Sequence, residues 1–352
     1  MRTKIDYMIK RITIVLLTLI LSSHLYGQEF KEKSYFKSRD FGQYFLADRY
    51  APIVNLGLGW MIVQPSYDID PEHRRVVPVA EPILGAQLPI YYYADETRRW
   101  SVSIPVSFSV WFDYTEARTA PILNTDYRFA AMELNYSQKL NHSWIKNIGF
   151  KFIPFFHEST HVGDELLLDK VLDSIPMARI NVSYETFELA VQINDPYDQK
   201  IKNHSGRLGA KFLWNPSKGY YTSDSLERSP NVEIKPSKRW IEPYLQYQYQ
   251  NPDGWLSNDK MMFVFSTDLS LRVRYDYPFR FRNKEGEIET HHAGEAYQLC
   301  TNSLFGWKFI NAKEEVSDVG AFFKFYWGIN PHGQFRNIPR YPWFGINIVY
   351  DI

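Results

Sequence analysis

The residues best equipped for chemistry lie in one run: Phe155-Phe156-His157-Glu158-Ser159-Thr160-His161-Val162-Gly163-Asp164-Glu165. Three kinds of chemistry fit it. His157-Glu158-Ser159-Thr160-His161 matches H-E-x-x-H, in which helical i, i+4 spacing puts two imidazoles on one zinc ion and the glutamate activates water. Pro154 just before and Gly163 just after argue against a helix here. On a strand the two histidines share a face but stand roughly 13 Å apart, too far for one ion. The second chemistry is acyl transfer. His157 and Ser159 are two residues apart, so on a strand they point the same way with Cα atoms roughly 6.5–7 Å apart. The imidazole then takes the hydroxyl proton, and Asp164 or Glu165 holds the ring in the right tautomer. The third reading is structural: His157, Ser159, His161, Asp164 and Glu165 satisfy one another at a strand end, or the two carboxylates pair with Arg272 or Arg274.

The elements that must position this run are strands. Apolar residues alternate with polar ones through Ser101–Asp113, Phe187–Asn194, Phe263–Asp276 and the C-terminal Phe344–Ile352, the period-2 signature of a sheet with one apolar and one wet face. Further candidates are Ile53–Val63, Leu84–Tyr93, Tyr127–Leu140, Lys146–His157, Ala178–Glu185, Arg207–Trp214, Trp240–Gln250, Tyr297–Ile310 and Ala321–Asn330. That makes thirteen, and a bacterial barrel needs an even number, so twelve are expected, with Ile53–Val63 the weakest. Asn251–Gly254 and Asn330-Pro331-His332-Gly333 read as turns, and Asn215–Lys238 as a long loop or small insertion. Plain alternation puts Lys151 on the same face as His157 and Ser159, which points that face to the lumen.

The leader favours export. Arg2, Lys4, Lys10 and Arg11 precede the apolar Ile12–Leu21, which is too short to cross a bilayer as a helix, and Gly27-Gln28 is a cleavage point. No later run reaches the length of a membrane helix, so a membrane-spanning mature chain must satisfy its backbone as a closed barrel. Aromatic residues make up 17% of the chain, with tyrosine the commonest, which suits membrane–water interfaces. Forty basic and forty acidic residues balance, so no basic field points to nucleic acid. The lone Cys300 forms no internal disulfide. His291-His292 near Glu287, Glu289 and Glu295 reads as a solvated loop, and there is no phosphate-cradling glycine loop and no C-x-x-C.

His157 and Ser159 resemble the H-x-S that outer-membrane phospholipase A and one class of lipid A deacylase carry on a barrel strand. The resemblance implies a serine hydrolase acting on lipid at the outer leaflet. Thr160 stands where those families have Asn or Gly after the serine. A wider resemblance joins three motifs: His157–Glu165, Asn124-Thr125-Asp126-Tyr127-Arg128, and Asn330-Pro331-His332-Gly333-Gln334-Phe335. Together they resemble a domain of unknown function in exported bacterial proteins, presumed to be outer-membrane barrels. That resemblance implies a fold and a compartment but no activity. The Tyr-Gly-Gln leader ending is typical of Bacteroidota-like exported proteins.

The sequence therefore predicts an all-β protein: a signal peptide (1–27), a periplasmic segment (28–50) and an antiparallel transmembrane β-barrel of about twelve strands (51–352). Outer-membrane lipids and other envelope proteins are the expected partners, with no nucleic acid, metal or cofactor. The expected role is envelope structure, transport or binding without catalysis; the alternative is a lipid hydrolase working through the His157–Glu165 cluster.

Overall fold

The computed structural model describes residues 32–35, 44–62, 76–114, 122–162, 179–196, 202–214, 220–223, 232–233, 239–258, 260–274, 278–282, 288–292, 295–310, 316–333 and 341–350. The leader at 1–27 lies outside these residues, as do Gly163, Asp164 and Glu165.

The elements are strands: β1 (Glu32–Tyr35), β2 (Val54–Ile62), β3 (Val76–Ala94), β4 (Arg98–Asp113), β5 (Ile122–Lys139), β6 (Asn147–Val162), β7 (Arg179–Ile193), β8 (Asn203–Leu213), β9 (Tyr220–Ser223), β10 (Val232–Glu233), β11 (Ile241–Asn251), β12 (Met261–Arg274), β13 (Pro278–Arg282), β14 (Ile288–His292), β15 (Ala296–Ile310), β16 (Val316–Gly328) and β17 (Tyr341–Tyr350). Twelve of them form one antiparallel wall in the order β2-β3-β4-β5-β6-β7-β8-β11-β12-β15-β16-β17. The wall closes because β17 pairs back onto β2, from Trp343 opposite Met61 to Tyr350 opposite Val54. Closure leaves the wall without an open edge, so its backbone groups are satisfied between strands. Short β9 and β10 extend the sheet beyond the start of β7, β1 pairs the end of β3, and β13–β14 form a separate hairpin.

Twelve strands emerge from the thirteen candidates because Ala178–Glu185 and Phe187–Asn194 are two halves of the continuous β7, joined through the inward-facing Thr186. The weakest candidate, Ile53–Val63, is the strand that seals the barrel. Its outward Leu56, Leu58 and Trp60 are exposed and apolar, as are Phe344, Ile346, Ile348 and Tyr350 on β17. Inward positions near the middle of the same two strands are small or polar (Asn55, Gly57, Gly59, Gly345 and Asn347), while Met61, Tyr341, Trp343 and Val349 fill the lumen on either side of them.

The lumen is filled. Residues Tyr44–Ile53 run inside the wall, with Phe45 and Ala47 fully buried. Tyr44, Leu46, Ala47, Ala51 and Ile53 pack against Met262, Val264, Leu304, Phe322 and Val349 of the wall. The plug's backbone is satisfied by wall side chains. Leu46 N donates to Gln248 Oε1 (3.0 Å), Ala47 N to Ser266 Oγ (3.0 Å), and Asn302 Nδ2 donates to the Ala47 carbonyl (2.8 Å). Arg207 sits 3.6 Å from Asp48 and stacks over the Phe45 ring. Gly85 lets the plug pass, since a Cβ there would collide with the Pro52 backbone. Of the segment read as periplasmic, 28–50, residues 44–50 lie inside the barrel and Glu32–Tyr35 pair with the end of β3.

Asn330–Gly333 also turns inward. Read from sequence as a turn, it is buried: Asn330 and His332 are each 1% exposed. It folds into the lumen because carboxylates on β3 and β5 receive the His332 ring, as described next.

Candidate functional site

Strands β5, β6 and β7 carry the predicted site, and two bulges decide which residues face which way. Between Ile153 and Phe156, β6 spends three residues where β7 spends two, Glu188 to Thr186. β5 is irregular at the same level, between Ala130 and Leu134. An extra residue reverses the alternation beyond it. Before the bulge Lys151 and Ile153 are buried; after it Phe156, Glu158 and Thr160 are buried. His157, Ser159 and His161 therefore point out of the barrel. Uninterrupted alternation had placed His157 and Ser159 on the lumen face with Lys151, and the bulge overturns that placement.

The inner face is a closed polar network. Thr160 donates to Asn124 Oδ1 (2.9 Å), and Asn124 donates to Asp126 Oδ1 (2.9 Å). Arg128 lies 3.5 Å from both Asp126 and Glu158. His332 Nδ1 faces Asp126 Oδ2 (3.3 Å) and its Nε2 faces Glu81 Oε1 (2.9 Å), while its ring stacks on Trp111 with centroids 4.6 Å apart. Gly333 N also donates to Asp126 (3.1 Å), and Lys324 pairs with Glu81 (2.9 Å). The three sequence motifs thus converge in one buried cluster, through Glu158 and Thr160, through Asn124, Asp126 and Arg128, and through Asn330–Gly333. Lys151 pairs instead with Glu188 (3.1 Å) and Glu133 (3.7 Å). This cluster holds the barrel interior together; every group in it has a charged or hydrogen-bonding neighbour.

The outer face is different. His157 Nδ1 lies 3.4 Å from Glu185 Oε1, a carboxylate directly across the ladder on β7, with both side chains about one-third exposed. Ser159 follows two residues on, on the same face. Such an arrangement has the parts of one in which a carboxylate orients an imidazole and the other ring nitrogen takes a hydroxyl proton. No hydrogen bond joins Ser159 to His157 among the described residues. Tyr127 lies opposite Ser159 on β5 and meets the His161 ring edge-on, with centroids 5.7 Å apart.

Of the predicted site residues, the structure brings His157, Ser159 and His161 onto one outward face; Asp164 and Glu165 lie outside the described residues. The zinc geometry fails. β6 is a strand through both histidines, and Glu158 points into the lumen, away from them. Among the described residues no group of three or more His, Cys, Asp and Glu is placed to hold a metal. Arg272 is buried in the lumen on β12, across the wall from His157. Glu185 is the partner that sequence reasoning missed. Only strand register sets it opposite His157, and no local signal could have found it.

A closed twelve-stranded wall with an apolar outer surface and a polar, filled interior defines a transmembrane β-barrel. A family model described as "Protein of unknown function (DUF1207)" matches residues 80–238, which include the whole outward site. No curated protein matches the chain. Among solved structures, outer membrane phospholipase A from Escherichia coli is similar at 10% identity, covering 85% of this chain and 92% of that one, with a TM-score of 0.44. The Salmonella typhi outer membrane phospholipase dimer with bound calcium is similar at 10% identity, covering 90% and 94%, with a TM-score of 0.46. The TodX monoaromatic hydrocarbon channel is similar at 10% identity, covering 84% and 88%, with a TM-score of 0.42.

Proposed function

We propose that this protein is an outer-membrane lipid hydrolase that cleaves acyl esters at the outer leaflet. The observation that carries the reading is an outward His157–Glu185 pair with Ser159 beside it. Ionisable groups on a lipid-facing wall are costly, and where they occur they mark function. The lumen's own His–carboxylate cluster, His332 with Glu81 and Asp126, is fully buried and turned away from lipid.

Position along the barrel supports the reading. The connections at one end are short: 95–97, 140–146, 194–202, 252–260 and 311–315. Those at the other are mostly long: 63–75, 114–121, 163–178, 214–240, 275–295 and 329–340. Short turns belong to the periplasmic end of such barrels and long loops to the outside. β6 ends at Val162, just before the long 163–178 connection, so Ser159 sits toward the outer leaflet.

In the reaction, Ser159 Oγ attacks the ester carbonyl while His157 Nε2 takes its proton. The tetrahedral intermediate expels the alcohol, which receives that proton. Water, deprotonated by His157, then releases the fatty acid and restores the serine. Glu185 holds the ring through Nδ1. A second reading, a non-catalytic envelope barrel, is favoured by the open Ser159–His157 gap; there the His157–Glu185 pair merely ties β6 to β7.

The test is the lipid profile of outer membranes carrying wild type or Ser159→Ala at equal expression. Lysophospholipid or under-acylated lipid A with wild type alone supports the hydrolase. Identical profiles from two folded proteins overturn it in favour of the non-catalytic barrel.

A further inference from the structure

We infer that a furrow on the outer wall beside Ser159 seats one fatty acyl chain of the substrate, over a length of about eleven carbons. The inference rests on the hydrolase reading above. The ladder aligns two cross-strand rows on the outer face. One runs Leu84–Phe108–Tyr127–Ser159 across β3, β4, β5 and β6. The next runs Ala86–Val106–Phe129–His157 and continues to Glu185 on β7. Each row is apolar until it reaches β6, where each supplies one of the reacting side chains.

A groove of about 280 Å³ lies between the rows, lined by Leu84, Val106, Phe108, Tyr127 and Phe129, with His157 at its end. Its floor is backbone, because the Ser107 and Arg128 side chains point inward and are buried. The Phe108 and Tyr127 rings, 5.0 Å apart, form one bank, and the T-shaped contact with His161 steadies Tyr127 from the β6 side. The furrow is apolar, lies on the bilayer side of the wall and is continuous with the imidazole. An acyl chain fits that chemistry, whereas a headgroup would find no polar partner along it.

Length follows from the sheet. Three strand spacings of about 4.8 Å separate β6 from β3, so the furrow is roughly 14 Å long. A zigzag chain advances roughly 1.25 Å per carbon, given C–C bonds of about 1.5 Å, so about eleven carbons fit.

The experiment uses the full chain in ester-free detergent and compares p-nitrophenyl decanoate with p-nitrophenyl butyrate. Val106→Trp fills the furrow; as an outward apolar substitution it leaves the lumen untouched. The decanoate-to-butyrate ratio of kcat/KM is expected to fall about tenfold or more, since excluding even a few methylenes forfeits that much discrimination. Leu299→Trp, the same kind of change on the distant β15 wall, should leave the ratio at its wild-type value. An unchanged ratio in Val106→Trp overturns the furrow while leaving the hydrolase standing, provided Ser159→Ala abolishes both activities. If Ser159→Ala hydrolyses both esters like wild type, or wild type hydrolyses neither, the hydrolase reading falls and takes the furrow with it. Dilauroyl phosphatidylethanolamine and purified lipid A, assayed side by side by mass spectrometry, then separate the two sources of such a chain: the one whose cleavage Val106→Trp slows is the substrate.

Discussion

Lys151 and His157 lie on one strand at an even spacing, yet they project to opposite sides of the barrel wall. Lys151 is buried in the lumen between Glu188 and Glu133, while His157 faces out beside Glu185. The extra residue in β6 at Pro154–Phe155 makes the difference. Bulges beside functional sites re-aim side chains in this way.

The orientation can be read chemically. In a Cys300→Ser background, Ser159→Cys should react with a lipid-soluble maleimide in intact membranes, and Glu158→Cys should not. Mass shift of the whole protein reports the result. Labelling of position 158 but not 159 would place the outward set on the other register.

In the proposed mechanism Glu185 orients His157 without touching substrate, so its loss should act on kcat. Glu185→Ala is expected to lower kcat for ester hydrolysis on the order of 10⁴-fold, with KM near wild type and the barrel folded. Glu185→Asp should recover part of that loss. Heat-modifiable migration on gels checks the fold separately from activity.

The plug is held by charge as well as by apolar packing. Arg207→Ala would leave Asp48 buried without its ion-pair partner, and removing one side of such a pair costs about 3–5 kcal/mol. Phe45→Ala would empty a fully buried site, at about 3–5 kcal/mol. Both should lower the urea midpoint of unfolding from lipid vesicles. Deleting residues 44–50 should also raise single-channel conductance in planar bilayers, because that segment occupies the lumen.

His332 pins residues 329–333 between Glu81 and Asp126. His332→Ala should release this segment, and limited proteolysis from outside the cell should then cut within it, whereas wild type should resist. Equal resistance would mean that the Gly333–Asp126 hydrogen bond and the buried Asn330 suffice without the ring.

The tight turn between β3 and β4 should carry a pH dependence. Burial raises the Asp95 carboxyl, but backbone N–H donors from Thr97 and Arg98, each 2.7 Å away, outweigh it and hold the group below its ordinary range. A lowered folded value stabilises above the unfolded pKa, about 3.9, and that gain is lost as pH falls through the folded one. Wild-type stability should therefore drop below about pH 4 more than that of Asp95→Asn, measured as unfolding midpoints across pH 3 to 6. The group is mostly exposed, so the difference should be small.

The sequence by itself determined the barrel. Period-2 alternation over long segments requires strands with one apolar and one wet face, and chains without membrane helices satisfy their backbone in lipid only by closure. It also singled out His157 and Ser159, because two residues on a strand share a face whatever the fold. Tertiary structure decided the rest. Which face is outward depends on a one-residue bulge, and β-branched or aromatic neighbours such as Ile153, Phe155 and Phe156 suit either side of it. Glu185 became the partner through inter-strand register, which links residues far apart in the chain and leaves no local trace. The burial of Tyr44–Ile53 and Asn330–Gly333 was likewise invisible, since 28–50 read as a periplasmic segment and Asn330–Gly333 as a turn until the lumen supplied Arg207, Asn302, Asp126 and Glu81 to receive them.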